Sequence, residues 1–250
     1  MQNRQNGIDI GKRRLITKAG VAGCAVLGNA MALSLLDTAL AAEKNKQGSV
    51  KKGSAKKEEK VTPPEDLMRE HGVLDRVMLI YEAGIRKFAS KEDFDPAILG
   101  RSAEIVRDFI ENYHEKSEED HVFPRFRKAG KMVDLVDTLL RQHQAGRRVT
   151  ATILKLAPNS RNDGDDRRQL VSAIQSFIAM YRPHAAREDT DLFPKLQELV
   201  SAHEYDAMGE QFEQEEHRLF GEDGFEKVAD RVAQLERAIG VYDLNQFTPA

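Results

Sequence analysis

The sequence predicts an all-α protein: an up-down-up-down antiparallel four-helix bundle with a C-terminal helical extension. Three observations lead there. Between residues 65 and 193, four stretches carry apolar residues three or four apart, the period that turns one stripe of a helix into a core. The connections between them are short and rich in Pro, Gly, Asp and Asn, and short links favour antiparallel neighbours. His and Glu take matching places in those stripes, twice over.

The first helix is expected from about Glu65 to Ala89, after Pro63-Pro64, with a seam of Leu67, His71, Leu74, Met78, Tyr81, Ile85 and Phe88. The second, from about Pro96 to His121, carries Leu99, Ala103, Val106, Ile110, His114 and Glu118, and Pro96 suits its first turn. The third, from about Met132 to Leu156, carries Val136, Leu139, His143, Gly146, Thr150 and Ile153. The fourth, from about Asp165 to Phe193, carries Leu170, Ile174, Phe177, Tyr181, His184 and Glu188. Asp165 and Asp166 favour its start electrostatically. Pro183 removes a backbone donor and predicts a kink just before His184. Residues 203–239 predict one or two further helices around Met208, Phe212, Leu219 and Phe225, then Val228, Val232, Leu235 and Ile239, with Gly221 and Gly224 between them.

Within the second and fourth helices one pattern recurs after seventy residues, H-x3-E-[ED]-x2-[VL]-F-P, read from His114 to Pro124 and from His184 to Pro194. Residues four apart on a helix are offset by only about 40°, so each His/Glu pair leaves from one face. An imidazole and a carboxylate on one face are two ligands for a divalent transition metal. A second echo, 72 residues apart, relates Arg69-Glu-His71-(x4)-Arg76-Val77 to Arg141-Gln-His143-(x4)-Arg148-Val149. The chain thus reads as one helix pair written twice. A lone inward histidine is an ordinary hydrogen-bonded core residue. Four His and two Glu in duplicate register on otherwise apolar seams form a ligand cluster, since buried carboxylates that face each other need cations between them.

At 40% apolar and 32% charged, the composition describes a soluble globular protein. Residues 1–41 read as an address. Lys12-Arg13-Arg14-Leu15-Ile16-Thr17-Lys18 resembles the twin-arginine export motif, an apolar stretch follows, and Ala39-Leu40-Ala41 is a cleavage signal. Gly20, Gly23, Gly28, Asn29 and Asp37 dilute that stretch below a typical membrane span, so no stable membrane insertion is expected after cleavage. Val21-Ala22-Gly23-Cys24 also resembles a lipoprotein box, but its apolar run is short and interrupted by Lys18. Cys24 is the single cysteine, which leaves a processed chain no disulfide and no thiolate ligand. Residues 42–64 form a Lys-rich linker with almost nothing to bury. Without the first 41 residues, 33 basic residues face 39 acidic ones, and the linker has seven Lys against three Glu. The folded part is acidic, which disfavours nucleic acid as its partner.

On the His/Glu motifs the chain resembles the hemerythrin-like, HHE cation-binding family, over about residues 65–195, with a helical extension at 196–250. The resemblance implies two non-haem iron ions bridged by Glu118 and Glu188, with an oxo or hydroxo group able to complete the bridge. His71 and His114 would lie nearer one ion, His143 and His184 nearer the other. It implies binding of O2 or a related small ligand (peroxide, nitric oxide) in sensing, protection or iron handling, with a di-iron oxidase or peroxidase, or metal storage, as alternatives. The twin-arginine machinery, which carries folded, cofactor-loaded proteins, implies a periplasmic location. Oxygen carriers of the family have H-x3-H on the third helix, where this chain has Arg147. They also place an Asp five residues after the fourth-helix His, where it has Asp189. Glu188 is preferred as the bridge because it matches Glu118 in the repeat. Glu115 is within reach of a metal from the side, His121 sits at a bundle edge, and His203 and His217 read as structural. Tyr113 and Tyr181 read as packing or as hydrogen-bond partners of a carboxylate.

Overall fold

The computed structural model describes residues 61–249. The expected signal peptide, Cys24 and linker residues 42–60 lie outside them. All the regular elements among the described residues are helices, with no strand. None of these helices is long and apolar enough to cross a membrane.

Helix α1 is Pro63–Ser90. Thr62 accepts from the Glu65 amide while the Glu65 side chain accepts from the Thr62 amide, and Pro63 and Pro64 fill a first turn that has no use for their missing donors. Helix α2 spans 97–129 and contains two π-helical runs, Val106–His114 and Glu118–Val122. It therefore outlasts the expected end near His121, and Gly130 stops it with φ 62°. Helix α3 is Val133–Leu156. Helix α4 spans 164–196, with a π-helical run at Glu188–Leu192, and Asp163 caps it by accepting from the amides of Asp165 and Asp166. Pro183 lies inside the unbroken α-helix Gly164–Arg187, and the departure from α geometry comes later, ahead of Pro194. Helices α5, Ala202–Phe220, and α6, Gly224–Ile239, complete the regular structure, followed by a 3-10 turn at Leu244–Phe247.

Each proline of the F-P pairs explains its π turn. Pro124 and Pro194 cannot donate to the carbonyl four residues back, and their rings press on it. The Phe123 amide instead reaches the Glu118 carbonyl and the Phe193 amide that of Glu188, five residues back. One extra residue is accommodated and the helix continues.

Helices α3 and α4 pack along their length, and α2 packs on α1 and α3. The extension braces the other side, α6 against α1 and α2, α5 against α1 and α6. Arg76 grips Glu236 of α6 with two bonds of 3.0 and 2.6 Å, and the Tyr113 hydroxyl donates to the Phe212 carbonyl of α5 at 3.3 Å. Of the apolar residues expected in the extension, Leu219 is exposed and Phe225 only partly covered, whereas Met208, Phe212, Val228, Val232, Leu235 and Ile239 are buried. The apolar interior falls into two clusters. One gathers Val77, Tyr81, Phe109, Ile174 and Phe177; the other Leu67, Phe123, Val136, Leu139 and Phe193. Along every one of the four long helices a histidine marks the change from one cluster to the other, so a polar layer crosses the interior between them.

Candidate metal centre

The six seam residues singled out in the sequence meet in that layer. His143, Glu118 and Glu188 have no exposed surface, and His71, His114 and His184 at most 4%. The Nε2 atoms of His71 and His114 face each other at 3.1 Å, and those of His143 and His184 at 3.2 Å. Each carboxylate reaches both imidazole pairs. Glu118 Oε1 lies 3.7 Å from His114 Nε2 and its Oε2 3.4 Å from His143 Nε2. Glu188 Oε2 lies 3.1 Å from His184 Nε2 and 3.4 Å from His71 Nε2. The donor atoms of His71, His114 and Glu118 lie within 4.8 Å of one another, as do those of His143, His184 and Glu188.

The outward nitrogens fix the tautomers. His71 Nδ1 meets Asp189 Oδ1 at 2.7 Å, His114 Nδ1 meets Glu70 Oε2 at 2.8 Å, His143 Nδ1 meets Glu119 Oε1 at 3.1 Å and His184 Nδ1 meets Gln142 Oε1 at 2.9 Å. An oxygen acceptor at Nδ1 places the proton there and leaves the Nε2 lone pair aimed inward, the arrangement of metal-ligating imidazoles. Rings seal two of them: Phe193 stacks on His71 at 5.7 Å and Phe123 on His143 at 5.4 Å.

Most positions of the repeated motif thus acquire a role. The Glu enters the centre. The acid after it, Glu119 or Asp189, holds a histidine of the other helix pair, and the Phe of F-P stacks on that same ring. The residue before the first histidine of each pair, Glu70 or Gln142, holds the second histidine of its own pair. In the sequence five of these six supporting residues, all but Asp189, stand only as letters of a motif or an echo; their signal was that they recur at the same offset.

The side chains of the centre oppose one another electrostatically. Burial, and then the facing Glu188, push Glu118 well above the usual carboxylate range. Burial works the same way on Glu188, but His184 and His71 outweigh it and hold Glu188 far below that range. Burial lowers His71, yet its bonds to Asp189 and Glu188 win and raise it to about 9. His114 is driven well below its ordinary value by burial and by the neighbouring His71. The oxygens of Glu118 and Glu188 are buried, and the inward imidazole nitrogens are the polar neighbours described for them above. Two buried, facing carboxylates among four inward imidazole nitrogens are a donor set that divalent cations satisfy, so these residues fit such ions.

The hemerythrin HHE cation binding domain family matches residues 62–196, more than half of the chain. The chain belongs to that family. Proteins of Mycobacterium bovis and of two Mycobacterium tuberculosis strains, themselves uncharacterized, are 48% identical over 191 residues, covering 76% of this chain and 75% of theirs. No solved structure matches it.

Within this hemerythrin-like domain the remaining candidates lie outside the centre. Glu115 is buried, but it accepts from the Tyr181 hydroxyl at 2.6 Å and sits 2.8 Å from Arg147 Nη2. Burial pushes it up to about 8. Asp189 holds His71 from outside. Arg147 bonds Glu119 at 2.8 Å, and burial notwithstanding, His143 and Arg147 hold that carboxyl down at about 2. Tyr181 thus serves a carboxylate, while Tyr113 ties α2 to α5. His121 is half-buried beside Phe212, and His203 and His217 are exposed.

Proposed function

We propose that the chain is a non-haem di-iron protein that binds O2 or a related small ligand, peroxide or nitric oxide, in sensing, protection or iron handling. His71, His114 and Glu118 would hold one iron, His143, His184 and Glu188 the other, with both carboxylates spanning the two. The observation that carries this reading is the double reach of each glutamate, one oxygen or two within 3.7 Å of an imidazole of each pair. Iron held there would supply redox capacity and Lewis acidity. The protein's part is to orient imidazoles through Nδ1, to keep bulk water out with Phe123 and Phe193, and to hold a proton on Glu115 beside the centre.

The four long helices, joined by short turns, support an up-down-up-down antiparallel order. We place residues 1–41 as a cleaved twin-arginine signal, 42–64 as a linker, 65–195 as the hemerythrin-like bundle and 196–250 as its extension, in a periplasmic protein without nucleic-acid partner or stable membrane insertion. A second reading, a di-iron peroxidase or oxidase, draws on Arg147. It stands one turn beyond His143 and is bound to Glu115 and Glu119, so no third imidazole closes the second position.

Metal analysis with an optical spectrum of iron-replete protein tests the central claim. Two irons per chain with a reversible O2-dependent visible band support binding. Steady peroxide turnover abolished in His143→Ala and Glu188→Ala supports the enzyme. Less than one metal per chain sinks the di-iron proposal, and a colourless zinc protein favours storage.

A further inference from the structure

The two ion positions have the same inner donors but different backing. Both imidazoles of the first position lean on carboxylates, His71 on Asp189 and His114 on Glu70. In the second, His184 leans on the neutral amide of Gln142. His143 leans on Glu119, whose Oε1 also accepts from Arg147 at 2.8 Å. A carboxylate at Nδ1 makes the imidazole a stronger donor at Nε2. An amide does so much less, and a guanidinium on the backing carboxylate draws part of its charge away. The difference is written where the repeat fails to repeat: Glu70 against Gln142, and Arg147 with no basic counterpart at Asp75, which stands four residues after His71 as Arg147 stands four after His143.

We propose that the two positions are inequivalent and fill in order, the His71/His114/Glu118 position taking a divalent transition-metal ion first and more tightly, the Gln142-backed His143/His184/Glu188 position second and more weakly. This rests on the two-ion reading above and adds an order to it. The second position is then the one that exchanges with solution, and Gln142 and Arg147 are the positioning residues that set its affinity.

The test is anaerobic titration of the metal-free full chain with Co(II), followed by calorimetry and visible absorption. Wild type is expected to bind two ions in steps separated by about 10-fold or more. Gln142→Glu is expected to tighten the second step by about 10-fold and leave the first in place. Asp189→Asn is expected to weaken the first step by about 10-fold and leave the second. The two variants close the gap from opposite sides, which a general loosening of the fold does not do, and circular dichroism of both metal-free variants should match wild type. Two ions of equal affinity, or a Gln142→Glu variant that moves the first step or neither, overturns the order while the two-ion reading stands. Binding of fewer than two ions by wild type overturns that reading itself.

Discussion

At the residue scale, Glu115 carries the clearest pH signature outside the proposed ligands. Unfolded, it titrates near 4.5; folded, burial holds its proton to about 8. Below 4.5 both states are protonated and it contributes nothing. Between 4.5 and 8 the unfolded chain releases the proton first, so the contribution of Glu115 to metal-free stability falls as pH rises through that window and levels off above it. Glu115→Gln should flatten this slope, gaining on wild type by more than about 1 kcal/mol between pH 5 and 8 in urea unfolding; parallel slopes would contradict the assignment. Gly146 is a second sensitive position. A Cβ there would stand 1.9 Å from the Tyr181 hydroxyl oxygen, so Gly146→Ala should cost about 1–3 kcal/mol and break the Tyr181–Glu115 bond. The sequence displayed Gly146 as a seam position but not its reason, because close approach of α4 is a tertiary fact. The six inward residues were legible, since polar side chains on an apolar stripe at repeated offsets have few explanations. Asp189, Glu119, Glu70 and Gln142 were not, because their partners lie 24 to 118 residues away and on other helices.

At the scale of elements, periodicity placed the four long helices and most of their buried faces, and failed where the backbone leaves α geometry. The end expected at His121 was wrong because Pro124 is absorbed by a π turn instead of stopping the helix. Pro183 was expected to disturb α4 and does not break it, while Pro194 does what Pro124 does. Both π turns begin at a proposed bridging glutamate, so their geometry sets where Glu118 and Glu188 point. Pro194→Ala should let α4 relax toward a regular helix, weakening Co(II) binding by about 10-fold without loss of thermal stability. Weakened stability with unchanged metal affinity would show the turn to be a packing feature only.

Across the whole molecule, the polar layer divides the apolar interior in two, and its cohesion depends on what neutralises it. Ions that bind the folded chain alone stabilise it by mass action, about 4 kcal/mol for each one present at a thousandfold excess over its dissociation constant. For a domain of this size that corresponds to a melting temperature lowered by at least about 10 °C on chelation. Thermal unfolding before and after exhaustive chelator dialysis measures it, and a shift under about 2 °C would mean the layer is held by its hydrogen bonds alone. The extension should follow the same transition, since α6 is clamped to α1 through Arg76 and Glu236.

The exchange of acids and phenyl rings between the two helix pairs has a consequence for how such a chain could be cut or copied. Asp189 and Phe193 reach back to His71, and Glu119 and Phe123 reach forward to His143. A single copy of the duplicated unit would have clasps with nothing to close on, and imidazoles with nothing to steady them. Only two copies, fused or paired, make whole sockets, so the break at Gly130 to Met132 joins two interlocked halves rather than two separable ones.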